Sequence, residues 1–408
     1  MAKTILDGVR ILDLSTVLAG PMASMLLADM GAEVLKIERP PEGDEMRHMP
    51  PYFYKGESAY FISVNRNKKS VIIDLKTAEG KAVFLDLVRS ADIVFNNARV
   101  GVMDRLGFDY ESLAKINPRI ICCSLSGFGR DSPYKDRPGY DLNIQAMSGV
   151  ISMNGEPGRP PARLGVSMGD LSGAMYSAFA MVNALYYREK TGKGQDIDMA
   201  LLDSLASLLT YQSQYFWVAG VLPQQIGSGH MTSVPYQAFE TADSWLVIDA
   251  HSQKHWRILC DVLGVQQHAD DPKYATLDAR RRNKEELVRW LSTAIKQKTT
   301  DEWMAILAPA EIPVAPINTV DQALSDPSLL ARKMVVEFEH TLGGKIKSLG
   351  NPVHMSEMKE QPYTSPPLLG EHTESVLREV LRYDDARISR LLQERIVYGV
   401  QHSEHSKG

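Results

Sequence analysis

Asp170 stands among glycines, in Gly169-Asp170-Leu171-Ser172-Gly173-Ala174, where a long apolar helix begins. A carboxylate there reads first as an N-cap, its oxygens accepting the amides of the first helical turn. The setting also suits chemistry. The positive end of a helix favours the ionised form, and glycines on either side allow a substrate to approach. Such a carboxylate can attack an acyl carbon and form an acyl-aspartyl intermediate, with backbone amides stabilising the oxyanion. Gly165-Val166-Ser167-Met168-Gly169 also matches the nucleophile-elbow pattern G-x-S-x-G. That pattern needs a strand before it, and Pro160-Pro161-Ala162-Arg163-Leu164 is a poor strand, so a serine hydrolase is not expected.

Lys36, Arg39, Lys68, Lys69, Lys76, Arg99, Arg105 and Arg137 precede that site. Several fall at strand ends or in the loops after them, where α/β sheets bind ligands. Singly they read as surface charge; together they could hold a phosphorylated, nucleotide-like handle. The first strand-to-helix turn, Ser15-Thr16-Val17-Leu18-Ala19-Gly20-Pro21, lacks the glycine pattern of a dinucleotide site, and no Walker-type loop occurs. NAD and ATP therefore have no support. No metal motif stands out either. His251 and His255 are four apart but read as solvated residues at a helix start.

The elements that must position Asp170 follow from the apolar runs. Strands are expected at Val9–Leu14, Glu33–Glu38, Ser70–Leu75, Asp92–Asn96 and Arg119–Ser124, with helices at Met22–Met30, from Thr77 to about Ser90, and over about Gly101–Ile116. Apolar strands separated by helices predict a parallel sheet covered on both faces, a doubly wound, Rossmann-like α/β layout. Residues 129–169 are rich in Gly and Pro and read as an irregular, functional stretch. A helix over Leu171–Lys190, a strand over Gln195–Met199 and a helix over Leu201–Trp217 are expected next. Tyr236–Glu240 and Ser244–Asp249 read as a hairpin, followed by helices near Gln253–Leu263 and Lys284–Lys298. The expected domains are 1–225, large and Rossmann-like; 226–330, a smaller α+β domain; and 331–408, a return segment with helices packing on the large domain.

The chain has 408 residues, with 45 Lys+Arg against 50 Asp+Glu and a net charge of −5. Without a basic surplus a nucleic-acid partner is not expected. The three cysteines, Cys122, Cys123 and Cys260, include an adjacent pair and no C-x-x-C. Neither a disulfide framework nor a zinc site is expected, and free thiols suit the cytoplasm. The longest apolar stretch, Gly173–Tyr187, falls short of the ~20 residues needed to span a bilayer. No targeting segment is read at the start.

Several pieces occur in an order that carries a resemblance. They are Gly8–Leu14, Ala19-Gly20-Pro21, Leu27–Glu38, Asn65–Ser70, Asp104-Arg105-Leu106-Gly107, Gly139-Tyr140-Asp141, Gly169-Asp170, Thr191–Gln195 and Leu369-Gly370-Glu371-His372. Over essentially its whole length the chain resembles the class III coenzyme A-transferase family, also called the CaiB/BaiF family. The resemblance implies an intertwined homodimer, with each chain threading through its partner. It places the family's catalytic aspartate on Asp170. It places CoA contacts on Val17, Arg39, Ile73, Lys76, Asn97, Arg105, Arg137 and Tyr140. Gly227-Ser228-Gly229-His230 would correspond to the glycine-rich loop that covers the site. One departure is Asn96-Asn97-Ala98-Arg99-Val100-Gly101, where the family usually has an acid, then Asn-Phe, then Pro-Gly; an apolar CoA contact from Phe is missing.

The function implied is transfer of CoA from an acyl-CoA donor, succinyl-CoA among the candidates, to a small carboxylic acid, with CoA thioesters as substrates and no tightly bound cofactor. Arg163 and His230 could pair with a second carboxylate on charge alone. The alternative is a 2-methylacyl-CoA racemase of the same superfamily. Racemases use a His in a Gly-His-Asp motif. Here the motif is Gly139-Tyr140-Asp141, and a phenol with a pKa near 10 replaces an imidazole poorly near neutrality.

Overall fold

The computed structural model describes residues 4–358 and 362–400. Parts of the expected return segment, at 359–361 and 401–408, lie outside the described residues. The chain forms two compact units. The first draws on Met1–Gly149, Leu164–Leu209 and Leu330–Gly408, the second on Val150–Arg163 and Thr210–Leu329. Residues 150–163 and 210–225, read from the sequence as part of the large domain, group with the second unit.

In the first unit β1 (Arg10–Asp13), β2 (Glu33–Glu38), β3 (Lys68–Ile73), β4 (Ile93–Asn96), β5 (Ile121–Ser126) and β6 (Gln195–Ala200) run parallel. Their spatial order is β3-β2-β1-β4-β5-β6, with the two-residue strand Val397–Tyr398 antiparallel on the outer edge of β3. The order reverses between β1 and β4. Strand ends diverge there and leave a crevice, the usual ligand position in such sheets. Alternate strand residues face opposite sides. On one side Leu12, Leu35, Ile37, Val71, Ile73 and Val94 pack against Val83, Phe84, Leu87 and Val88 of α2 (Ala78–Val88) and against the C-terminal helices Thr373–Glu379 and Asp385–Gln393. Each such side chain contributes about 1.5–3 kcal/mol on burial. Thr77 caps α2 by accepting the Gly80 amide at 2.9 Å.

Three further helices bear on the site. α1 (Ala19–Asp29) packs against α4 (Met168–Thr191), and α3 (Asp141–Met147) packs against the start of α4. α1 starts earlier than expected because Pro21 falls in its first turn, where a missing N–H costs nothing. α3 lies within the stretch read as irregular, together with a 3₁₀ turn at Ile151–Met153. α4 starts at Met168 rather than Leu171. Asp170 is therefore its third residue, and the N-cap position falls to Ser167. The expected helix over Leu201–Trp217 is divided into Leu201–Ala206, a 3₁₀ turn at Ser207–Leu209, and Thr210–Ala219, with Thr210 at φ 36°.

The second unit holds an antiparallel sheet of Tyr236–Glu240, Trp245–Asp249 and Val314–Pro316. Phe239, Leu246 and Ile248 pack on Trp256, Leu259, Leu287, Leu291 and Trp303 from its helices. Inside it, Arg280 is fully buried and donates to the carbonyls of Val234, Tyr274 and His251.

All three cysteines are free and buried, and burial pushes the Cys122 and Cys260 thiols up to about 12. Among the described residues no helix is long and apolar enough to cross a membrane, and no cluster of three or more His, Cys, Asp or Glu could hold a metal. His251 pairs instead with Asp249, Nδ1 to Oδ1, at 2.5 Å.

Candidate active site

The first strand-to-helix turn is held almost atom by atom. Asp13, at the end of β1, accepts the Ser15 amide at 2.9 Å and its hydroxyl at 2.5 Å. The Lys36 ammonium donates to the Ser15 carbonyl at 2.8 Å. The Asn97 carboxamide accepts the Thr16 amide at 2.9 Å and donates to the Thr16 carbonyl at 2.8 Å. Asp44 accepts the Val17 amide at 3.2 Å. Val17 takes φ 71°. A β-branched side chain in the left-handed region costs on the order of 1–3 kcal/mol and persists only where its surroundings over-determine it.

Those partners belong to a buried ionic cluster. Asp13, Lys36 and Ser70 sit side by side on β1, β2 and β3, on the side opposite the apolar set. Lys36 pairs with Asp44 at 2.8 Å and Lys68 with Asp13 at 3.3 Å. Arg47 pairs with Glu38 at 2.7 Å and with Glu57 at 3.2 Å. Burial opposes every charge here. In Lys36 the attraction of Asp44, Asp13 and Glu38 outweighs it, and the ammonium is held above its ordinary value. Burial wins at Lys68, which falls to about 8 although Asp13 opposes the fall. At Glu38 burial is outweighed by Arg47, which holds the carboxyl down to about 2. Lys36 and Lys68 are therefore interior structural cations rather than surface phosphate ligands. Lys69 pairs with Glu33 at 2.7 Å.

Asp170 lies half-buried in the first turn of α4. Burial pushes its carboxyl up to about 6, and the charge of Asp141 adds to the rise. Burial and Asp141 outweigh the helix end, yet with a value of about 6 the carboxyl is mostly ionised at neutral pH. Asp141 takes the capping amide instead: its Oδ1 accepts the Gly169 N–H at 2.9 Å and its Oδ2 accepts Gln145 Nε2–H at 2.8 Å. A side chain on Gly169 would place its Cβ 3.0 Å from that Oδ1 and 3.1 Å from Ile144, so glycine is what lets α3 approach α4. Tyr60 has its hydroxyl pKa raised by burial, then by the negative charges of Asp170, Asp141 and Asp44.

Most of the residues expected to contact CoA follow strand ends in the chain, while Arg105 lies on the helix Val102–Leu106. Val17 follows β1, Arg39 follows β2, Lys76 follows β3, Asn97 follows β4, and Arg137 and Tyr140 follow β5. Arg39, Lys76, Arg105 and Arg137 are exposed, and Tyr140 is 67% exposed. Arg137 lies over the Tyr134 ring at 4.2 Å. The Ile73 side chain is in the core at 1% exposure. The structure thus joins Asn97 to Thr16, the neighbour of Val17, and the start of α4 at Gly169-Asp170 to Asp141, which follows Tyr140. Asp44 and Tyr60 escaped the sequence reading. Asp44 carries no motif, and Tyr60 follows Ser58, whose cap on the Tyr60 amide was the one available signal.

Gly20→Ala should disturb this turn. Its Cβ would lie 2.2 Å from Ser15 Cβ and 3.2 Å from Asn97 Cγ. The expected loss is about 1–3 kcal/mol of stability, read as a lower melting temperature, together with weaker acyl-CoA binding by calorimetry.

In the second unit, Gly227, at φ 61°, donates to the Gly155 carbonyl, Gly229 to that of Ile226, and Ser228 Oγ accepts the Ala238 amide. His230 Nδ1 accepts the amides of Thr232 and Ser233 at 3.2 Å, and its ring stacks on Tyr236. Its Nε2 then carries the proton in the neutral ring. Arg163 is exposed in the same unit.

Comparison with known proteins bears on this geometry. The sequence pattern described as CoA-transferase family III matches residues 6–373. A succinyl-CoA:glutarate CoA-transferase of Mus musculus is 40% identical over 95% of this chain and 89% of its own. An acetyl-CoA:oxalate CoA-transferase of Acetobacter aceti is 38% identical over 91% of this chain and 95% of its own. A crystal structure of a CAIB/BAIF family protein from Brucella suis superposes with a TM-score of 0.84 at 37% identity, covering 93% of this chain and 99% of that one.

Proposed function

Because this chain belongs to the class III CoA-transferase family, and transfers CoA from an acyl-CoA donor to a carboxylic acid, we propose that Asp170 carries the group covalently. The Asp170 carboxylate attacks the donor thioester carbonyl, the CoA thiolate leaves, and a mixed anhydride remains. The thiolate attacks the aspartyl carbonyl, giving an aspartyl-CoA thioester and releasing the donor carboxylate. The acceptor carboxylate attacks that thioester, and the freed thiolate takes the new acyl group, restoring Asp170. One thioester replaces another, so no ATP is consumed.

The observation that carries this reading is the half-buried carboxylate raised to about 6 beside Asp141. Burial and a like charge penalise the ionised carboxylate. They do not penalise its neutral anhydride or thioester. The environment therefore lowers the barrier to acylation while leaving most of the group ionised at neutral pH. Arg39, Lys76, Arg105 and Arg137 would hold the phosphates of CoA, whose binding energy orients the thioester. Val17, Asn97 and Tyr140 would border the pantetheine arm, whereas the Ile73 side chain, sealed in the core, would not reach it. An exposed anhydride would hydrolyse, so the route requires that water be kept from Asp170.

The relatives act on succinyl, glutarate and oxalate groups. We read the donor here as succinyl-CoA and the acceptor as a short dicarboxylate such as glutarate. The helix α4 leaves Met175, Phe179, Val182 and Tyr186 exposed at four- and three-residue spacing, Phe179 to 67% and Tyr186 to 62%. Such an apolar stripe supports an intertwined homodimer. The reduced thiols suit a cytoplasmic location.

Incubation with succinyl-CoA alone tests the intermediate. Peptide mass spectrometry should find a CoA adduct on the peptide holding Asp170, and hydroxylamine should convert it to a hydroxamate. An adduct on another residue, or CoA transfer with no adduct at any time, would sink the covalent route.

A further inference from the structure

Every polar backbone group from the Ser15 amide to the Val17 amide has a side-chain partner: Asp13, Lys36, Asn97 twice, and Asp44. A turn that only had to be stable would carry glycine at φ 71°, since glycine adopts that conformation without steric cost. Here a valine is held there by a buried carboxylate, itself held by a buried ammonium. Asp44 is 1% exposed and Lys36 fully buried. Asp44 divides its oxygens: Oδ1 accepts Val17 N–H at 3.2 Å and Met46 N–H at 3.1 Å, while Oδ2 takes Lys36 at 2.8 Å. Its own amide donates to Glu38 at 3.0 Å, so its backbone is anchored as well. Val17 stands at the crevice between the diverging ends of β1 and β4, and the same crevice is closed from the other side by Asn97.

We propose that Asp44 is a positioning residue for CoA transfer: neutralised by Lys36, it holds the Val17 amide and so fixes the strained turn against which acyl-CoA binds. The proposal rests on the reading of that turn as part of the acyl-CoA site. Asp44 touches no reacting atom. Its effect passes through the direction of the Val17 side chain and carbonyl, so it acts on the binding of acyl-CoA rather than on the covalent steps at Asp170.

Two paired replacements separate this role from simple charge pairing. Lys36→Met with Asp44→Asn removes the buried ion pair and the Lys36 donor to the Ser15 carbonyl but keeps an acceptor for the Val17 amide. Lys36→Met with Asp44→Ala removes that acceptor as well. Both pairs lose the Ser15 bond, so the first is the reference for the second. The second should show a KM for succinyl-CoA about tenfold or more above that of the first, with kcat at saturation differing less than about threefold. Equal KM values for the two pairs, or a loss confined to kcat, would overturn the proposal. Hydrogen exchange gives a check that survives poor folding of the alanine pair. The Val17 amide should be protected in the native enzyme and in the asparagine pair, and rapid exchange at Val17 in the native enzyme would overturn the proposal. Native enzyme without CoA-transfer activity would instead remove the reading beneath it.

Discussion

Asp170→Asn is expected to lower turnover at least about 10³-fold while leaving CoA binding within a few-fold, because an amide cannot form the anhydride and the neighbouring carboxylate, Asp141, is engaged by the Gly169 amide and Gln145. The same substitution should make the protein more stable. The Asp170 carboxyl rises from 3.8 to about 6 on folding, so the fold binds a proton more tightly there than the unfolded chain does. Stability from this group is full below the unfolded value and is lost as pH rises through about 6. At pH 7 the ionised side chain costs up to ~3 kcal/mol. Asparagine carries no such charge, so the variant should melt a few degrees higher at neutral pH, and the gain should vanish near pH 4. Calorimetric melts at the two pH values, beside steady-state rates, check both halves. A variant that keeps native turnover, or that is destabilised at neutral pH, would contradict the proposed role.

The second large effect concerns the acid side of the pH profile. The nucleophile must be ionised, so kcat/KM should fall below about pH 6, to about a tenth of its plateau one pH unit lower. Burial is the larger cause of that midpoint and Asp141 the smaller. Asp141→Asn removes the like charge but keeps an oxygen that can accept the Gly169 amide. The acid limb should then move to lower pH, and the variant should retain several-fold more of its plateau activity at pH 5 than the native enzyme does. A limb that stays in place would show that Asp141 does not act on Asp170 through its charge. A limb that moves up would reverse the sign of the argument.

How much of this was legible in the residues depended on the kind of order involved. β2 was readable to the residue because Glu33–Glu38 is a buried parallel strand with turn signals on both sides. The hairpin Tyr236–Glu240 and Trp245–Asp249 was readable because apolar alternation is interrupted by Asp243-Ser244. α3 was not. Asp141–Met147 spans only two turns, and the helix is held by Gln145 and Asp141 reaching across to Leu164 and Gly169, contacts that leave no periodic trace. Asp170 was found as a carboxylate at a helix start, but its rank within the first turn depends on where Met168 begins the helix, and boundaries shift by a residue or two on local capping. The ionic cluster was misjudged for a physical reason. Lys36 lies inside the run Val34-Leu35-Lys36-Ile37, and a cation within a doubly covered strand has to be paired in the interior. That much could have been read; its partner Asp44 could not, since the loop that returns it has no pattern.

The seam between Val397–Tyr398 and β3 has a consequence for biosynthesis. Val397 pairs with Ile73, and the Asp74 amide donates to the Ile396 carbonyl. The ribosome releases β3 long before it releases the residues that seal it. Until then the nascent sheet presents an unpaired strand edge, a template for pairing with other chains. Most of the second unit, Thr210–Leu329, emerges in that interval as one continuous piece. The first unit therefore completes itself only once residues 396–398 have been made, and messages truncated before codon 396 should yield aggregated product.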